Sequence, residues 1–166
     1  MGLFDMLRTK VKTETVCACV SGRVVPMASI PDPVFAEGIL GTAIGIEPEG
    51  EEICAPCDAV VTQIADSLHA IGLKTKEGAE LLIHVGIDTV QMVGDGFSVK
   101  VNEEAHVRAG EVLLTFDRAK IREAGYKETV ITAVTNADSF QSVVPAANSA
   151  EKSTVQCGEA LLIITK

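Results

Sequence analysis

From Val16 onward, apolar residues fall into short runs divided by glycine, proline and charged turns. That pattern predicts many short strands closing one core, an all-β sandwich or barrel. Within this region only Arg118 to Tyr126 carries a helical pattern. The first dozen residues differ. Leu3, Leu7 and Val11 recur on one helical stripe with Phe4 beside it, and Arg8, Lys10 and Lys12 supply cations. They predict a short amphipathic helix, read either as a frayed terminus or as a peripheral membrane contact through residues 1–12. Thr13 to Thr15 follow as a linker, so residues 1–15 form an N-terminal segment and 16–166 the folded domain.

Two internal echoes point to duplication. Val107-Arg-Ala-Gly-Glu-Val-Leu-Leu114 is matched 48 positions later by Val155-Gln-Cys-Gly-Glu-Ala-Leu-Leu162, each a glycine-centred turn leading into an apolar strand. A weaker echo links Ser21-Gly-Arg-Val-Val25 with Cys57-Asp-Ala-Val-Val61. Each unit occurs twice, short of the three copies a solenoid needs. A two-fold β motif around one core is predicted instead.

The length of 166 residues suits one domain. Residues are 47% hydrophobic but only 4% aromatic, so Val, Ile, Leu and Ala must build the core, which favours strands. A net charge of −9 argues against a nucleic-acid partner, because binding to phosphates depends on clustered Lys and Arg. No stretch reaches the roughly 20 apolar residues of a membrane span, and the N-terminus lacks a signal-peptide pattern, so a cytoplasmic location is expected. Five cysteines, an odd number, argue against a disulfide framework. Cys54 and Cys57 form a Cys-x-x-Cys without a second pair at zinc-finger spacing, so a core-filling role is expected of them.

The chemistry concentrates in two histidines. Runs at about 68–75 and 79–87 flank the polar turn Lys76-Glu-Gly78, a hairpin signal. A loop of even length, centred between Lys76 and Glu77, sets His69 directly opposite His84 and brings the imidazoles within reach; an odd loop or a bulge shifts the pairing by one and separates the rings. Leu81, Ile83, Val85 and Ile87 then form the core side, while Ser67, Ile71, Leu82, Gly86 and Asp88 share the histidine face. Paired neutral imidazoles suit two chemistries. They can begin a zinc site, lacking its third and fourth donors. Alternatively one nitrogen attacks a phosphoryl group while the other ring stabilises the phosphoryl oxygens. No nucleotide-binding loop is present, so the expected phosphoryl donor is another molecule, such as a protein.

At these residues the chain resembles a known family. Leu-Ile-His84-Val-Gly-Ile-Asp-Thr-Val90 is similar to the phosphorylation segment of the glucose-family enzyme IIA of the bacterial sugar phosphotransferase system, and His69-Ala70 to its second active-site histidine. The similarity extends through Pro31 to Glu37, Ala55 to Asp58, Gly94 to Phe97 and Val107 to Glu111. It implies an antiparallel β-sandwich or barrel of the duplicated hybrid motif type. It also implies a carrier that takes a phosphoryl group from the small protein HPr on His84 and passes it to a cysteine of a IIB domain of a membrane sugar transporter. By the same resemblance His69 supports the moving group, and Ser67 keeps a hydroxyl where threonine is common. Asp32 and Asp88 match acidic residues facing a basic HPr surface, and Val34, Phe35, Ile39, Leu40, Leu82, Val85 and Val90 match an apolar docking patch. No cofactor is required, although a zinc ion between His69 and His84, completed by a partner carboxylate, is a further expectation. Two readings compete with the carrier: a regulatory docking module switched by phosphorylation, and, less well supported by ligands, a zinc hydrolase.

Overall fold

The structure is a computed structural model that describes residues 12–147, 149 and 153–166. The amphipathic helix expected over residues 1–12 lies outside the described residues except at Lys12. In chain order the strands are β1 Thr13–Cys17, β2 Gly22–Val25, β3 Thr42–Pro48, β4 Glu52–Cys54, β5 Ala59–Ile64, β6 Ala70–Thr75 and β7 Glu80–Val85. They continue with β8 Phe97–Val99, β9 His106–Val107, β10 Val112–Phe116, β11 Val130–Val134, β12 Ser142–Pro145, β13 Thr154–Val155 and β14 Ala160–Thr165. Among the described residues two short α-helices join them, α1 Pro33–Ala36 and α2 Arg118–Glu123, the latter where the helical pattern predicted one.

All pairings are antiparallel. The large sheet runs β13-β2-β3-β11-β7-β6-β5-β9, and two three-stranded sheets, β1-β14-β12 and β4-β10-β8, complete the sandwich. The large sheet has edges at β13 and β9, so the fold is a sandwich and not a closed barrel. Thr13 to Thr15, expected as a linker, belong to β1 and pair with Ile163 to Thr165.

The duplication is visible in the hydrogen bonds. Gly110 N donates to Ala55 O and Gly158 N to Ala18 O, both at 2.9 Å, while Ala55 N and Ala18 N donate back to Glu111 O and Glu159 O. Both glycines take φ near +90°, where a glycine relieves strain. Asp58 accepts from Ala109 N, and Ser21 accepts from Cys157 N in the equivalent turn. Ser21 therefore corresponds to Asp58, one residue away from the alignment with Cys57 suggested by sequence. A repeat that is half polar turn leaves few apolar positions to fix its register.

Central strand β11 is buried along its whole length because both its faces are covered. Val130 and Val134 join the main core, whereas Ile131 and Ala133 join a second, smaller cluster with Val25, Ile30, Phe35, Ala43 and Ile87. That cluster is formed by the segment carrying the 3-10 turn Met27–Ser29 and α1, folded over the outer face of the sheet. It underlies the histidine site. The cysteines are free. Cys19 is fully buried and Cys57 packs half-buried against the core, and burial pushes both thiols up to about 12. Cys54 is half-buried and raised to about 11, chiefly by burial, so the Cys-x-x-Cys pair is poorly suited to nucleophilic chemistry.

Candidate functional site

The β6–β7 hairpin closes through three residues, Lys76-Glu77-Gly78, with Gly78 at φ +92° and Thr75 N donating to Ala79 O. The loop is odd, so the register differs by one from the even-loop expectation. His84 pairs with Ala70, not His69, and His69 O instead accepts from Val85 N at 2.8 Å. Ile71 consequently lies opposite Ile83 in the core, correcting its expected place on the histidine face. Leu81, Ile83 and Val85 are core residues as expected; Ile87, beyond the end of the strand, packs in the smaller cluster.

The two rings nevertheless meet, 4.8 Å between centroids and 85° apart. His69 lies just before the regular ladder of β6, after Leu68 at φ +61°, so strand alternation does not dictate its direction. Ala70, opposite His84, is small and leaves room. On its other side His84 faces Ile131 of β11, and the Phe35 ring lies 5.2 Å away.

His84 Nδ1 stands 2.8 Å from Gly86 O. A carbonyl only accepts, so Nδ1 carries the proton in the neutral ring and Nε2 keeps its lone pair. Burial, and then the neighbouring His69, lower the His84 pKa from 6.5 to about 4, so the ring is neutral at physiological pH. The Gly86 carbonyl, Asp32 and Asp88 act in the opposite direction. Burial likewise lowers His69, with the Ser67 backbone opposing, and His69 Nδ1 is buried without a hydrogen-bond partner among the described residues.

Gly86 and Thr89, whose contribution the sequence pattern does not disclose, set this geometry. Gly86 has φ +83°, and a Cβ there would lie 2.4 Å from Thr89 Cγ2 and 3.0 Å from Lys127 O. Fully buried Thr89 donates its hydroxyl proton to Val85 O, tying the turn to the strand end. Asp88, exposed, enters that turn at φ +61°. Asp32 Oδ1 accepts from Val34 N and caps α1, whose first residue is Pro33.

Of the expected apolar patch, Val34, Ile39, Leu40 and Val90 are exposed, and Val93, unread from sequence, is 81% exposed. Leu82 is half-buried beneath the second cluster. Phe35 and Val85 are 3% and 0% exposed, which corrects their assignment to a docking surface: Phe35 packs on His84 and Val85 fills the core. Ser67 is half-buried in the turn before His69. Among the described residues no cluster of three or more His, Cys, Asp or Glu is placed to hold a metal ion, so the histidines supply at most half of a zinc site. No helix of the described residues is long and apolar enough to cross a membrane.

Residues 14–140 match the model for the phosphoenolpyruvate-dependent sugar phosphotransferase system, EIIA 1 family. The chain belongs to this family. It is 39% identical over 137 residues to the glucose-specific EIIA component of Bacillus cereus, covering 82% of this chain and 83% of that protein. It is 32% identical to the Haemophilus influenzae glucose-specific EIIA component over 100% of this chain and 99% of the other. A glucose-specific EIIBCA component of Corynebacterium glutamicum is 44% identical over 75% of this chain, but the chain spans only 18% of that larger protein. The fold matches glucose permease IIA from Mycoplasma capricolum with a TM-score of 0.77 at 26% identity, over 98% and 99% of the two chains. The antiparallel sandwich expected from the resemblance is thus the fold of this EIIA chain.

Proposed function

We propose that this EIIA chain is a phosphoryl carrier in which His84 Nε2 takes a phosphoryl group from the phosphohistidine of HPr and hands it to a cysteine thiolate of a IIB domain. The observation carrying the proposal is the neutral His84 ring, its Nδ1 proton donated to Gly86 O and its Nε2 left as nucleophile beside His69. In the first transfer the Nε2–P bond forms as the donor's N–P bond breaks. The second transfer breaks Nε2–P as sulfur bonds to phosphorus. Throughout, the Gly86 carbonyl holds the Nδ1 proton and fixes the ring, so neither step waits on ring rotation. His69 stabilises charge on the phosphoryl oxygens as the group moves. Asp32 and Asp88, both near enough to act on the His84 charge, present acid to a basic HPr surface. The exposed rim of Val34, Ile39, Leu40, Val90 and Val93 offers the apolar contact.

Incubation with phosphoenolpyruvate, enzyme I and HPr, followed by intact mass and peptide mapping, tests the assignment. His84→Gln should take no phosphoryl group, and His69→Gln should accept it but pass it to IIB at least tenfold more slowly. Phosphate mapped to His69, or a phosphorylatable His84→Gln, overturns it. The same exposed rim supports a second reading, a regulatory docking module whose affinity changes when His84 is phosphorylated. A zinc ion, if bound, would use His69 and His84 and a carboxylate from the docked partner, supplying a bridge between the two proteins.

A further inference from the structure

The large sheet carries a second concave surface at the opposite end of β5 and β6. His106 of β9 lies opposite Val60 of β5, and Val60 lies opposite Lys74 of β6. Directly opposed residues share a face, so these three form one row across three strands. Strand alternation adds Asp58 and Arg108 to the same face. Ala59, Val61, Leu73 and Val107 point the other way into the main core. The result is a cavity of about 540 Å³ with Val60 and Thr62 at its centre, Lys74 and Lys76 on one side, and His106 and Arg108 on the other. Its volume falls in the range of small-molecule sites, roughly 300 to 1,000 Å³.

Its charge runs against that of the molecule. The chain has 23 acidic and 14 basic residues. Yet three exposed cations gather here, and Lys74, Lys76 and Arg108 make no ion pair among the described residues; the pairs there are Arg118 with Glu128, Lys120 with Asp95, and Lys166 with Glu77. Asp58, the only acid in the lining among the described residues, accepts from Ala109 N at 2.9 Å and keeps its charge, so the three cations remain in excess over one carboxylate. The cationic walls stand on strands two ladder spacings apart, about 10 Å. Ala70, opposite His84, lies about 13 Å along β6 from Lys74, so this cavity is separate from the histidine pair.

We infer that this cavity binds a small organic bisphosphate of hexose size, with one phosphate held by Lys74 and Lys76, the other by Arg108 and His106, and the carbon body lying on Val60. The spacing selects two anionic ends over one, and the guanidinium of Arg108 can grip a phosphate through two parallel hydrogen bonds. A single-ended anion would leave one cationic wall unmatched.

The test is an amide NMR titration of the full chain with glucose bisphosphate, phosphorylated on its first and sixth carbons. The comparison probes are glucose monophosphate, inorganic phosphate and phosphatidylglycerol vesicles. The expected result is saturable shifts at Val60, Thr62, Lys74, His106 and Arg108, with the bisphosphate binding roughly tenfold or more tightly than the monophosphate. Lys74→Gln and Arg108→Gln should each weaken binding about tenfold while leaving phosphorylation by HPr unchanged, which also shows that the variants fold. No saturable shift, equal affinity for inorganic phosphate, or unchanged binding by the variants overturns the inference. So does a response confined to vesicles, which assigns the face to a lipid surface, or shifts that track protein concentration alone, which assign it to a second copy.

Discussion

His84 sits in a local structure that opposes its protonation. With a folded pKa near 4 against an ordinary 6.5, the unfolded chain binds the proton first as pH falls. The sign follows: the contribution to stability is intact above about 6.5 and is lost progressively as pH drops toward about 4. Denaturant titrations across that window should show wild type losing stability more steeply than His84→Gln, which lacks the group. Phosphoryl acceptance should likewise persist at about pH 5, where an ordinary histidine is mostly protonated and unreactive; loss of acceptance with a midpoint near an ordinary histidine pKa would contradict the assignment. Gly86→Ala tests the support beneath the ring. The new methyl meets Thr89 and the Lys127 carbonyl in a backbone conformation alanine disfavours, so thermal or denaturant unfolding should show a loss of at least about 2 kcal/mol. Phosphorylation should fall with it. The meeting of His69 and His84 was only partly legible from sequence, where it was tied to an even-loop register that the hairpin does not have. The rings meet because His69, after Leu68 at φ +61°, lies outside the regular ladder. Their register was not legible, because the turn Lys76-Glu77-Gly78 fits even and odd loops alike until Gly78 is seen in the left-handed region. The roles of Gly86 and Thr89 depend on a chain reversal that follows the strand, beyond the reach of any alternation pattern.

At the scale of elements, the site depends on the stretch from Met27 to Ala36 folding over the outer face of β3, β11 and β7. These helical turns of three and four residues are too short to show a 3.6-residue period, so the sequence pattern misses them. Asp32 before Pro33 was the available signal, an N-cap followed by the proline favoured at the first helical position. Reading Phe35 and Val85 as surface came from resemblance alone. Burial separates them from Val34 and Ile39, and the difference is measurable. Phe35→Ala should cost about 3 kcal/mol and broaden or shift the His84 ring resonances, since it empties a cluster of few members. Ile39→Ala, at 65% exposure, should change stability by less than about 0.5 kcal/mol while weakening association with HPr. Equal destabilisation by the two substitutions would show that the surface rim is structural and not available for docking.

For the whole molecule, duplication explains why so much β architecture was legible from a single sequence. The turns at Gly110 and Gly158 need the same left-handed glycine and the same acidic side chain: Glu111 accepts from Arg108 N, and Glu159 from Gln156 N. Chemistry repeated in a turn survives in sequence, whereas the pairing of distant strands does not, and the place of β1 illustrates the difference. Thr13 to Thr15 are short and polar and read as a linker. In the fold they close a sheet edge on β14, where Lys166 N donates to Lys12 O and Thr75 Oγ1 donates to Glu14 Oε1 at 2.6 Å. Val16, at 0% exposure, anchors the same strand in the main core. The boundary between dispensable and essential chain should therefore fall before Lys12, several residues earlier than composition implies. Removal of residues 1–11 should leave the melting temperature and phosphorylation by HPr nearly unchanged. Removal of residues 1–16 should strip β14 of a partner, expose the Val16 site and lower stability by several kcal/mol, about the sum of a lost core side chain and unpaired backbone groups. Thermal melts of the two truncations beside the full chain decide it: equal loss from both would place residues 1–11 in the folding unit, and no loss from either would deny β1 its part in the core.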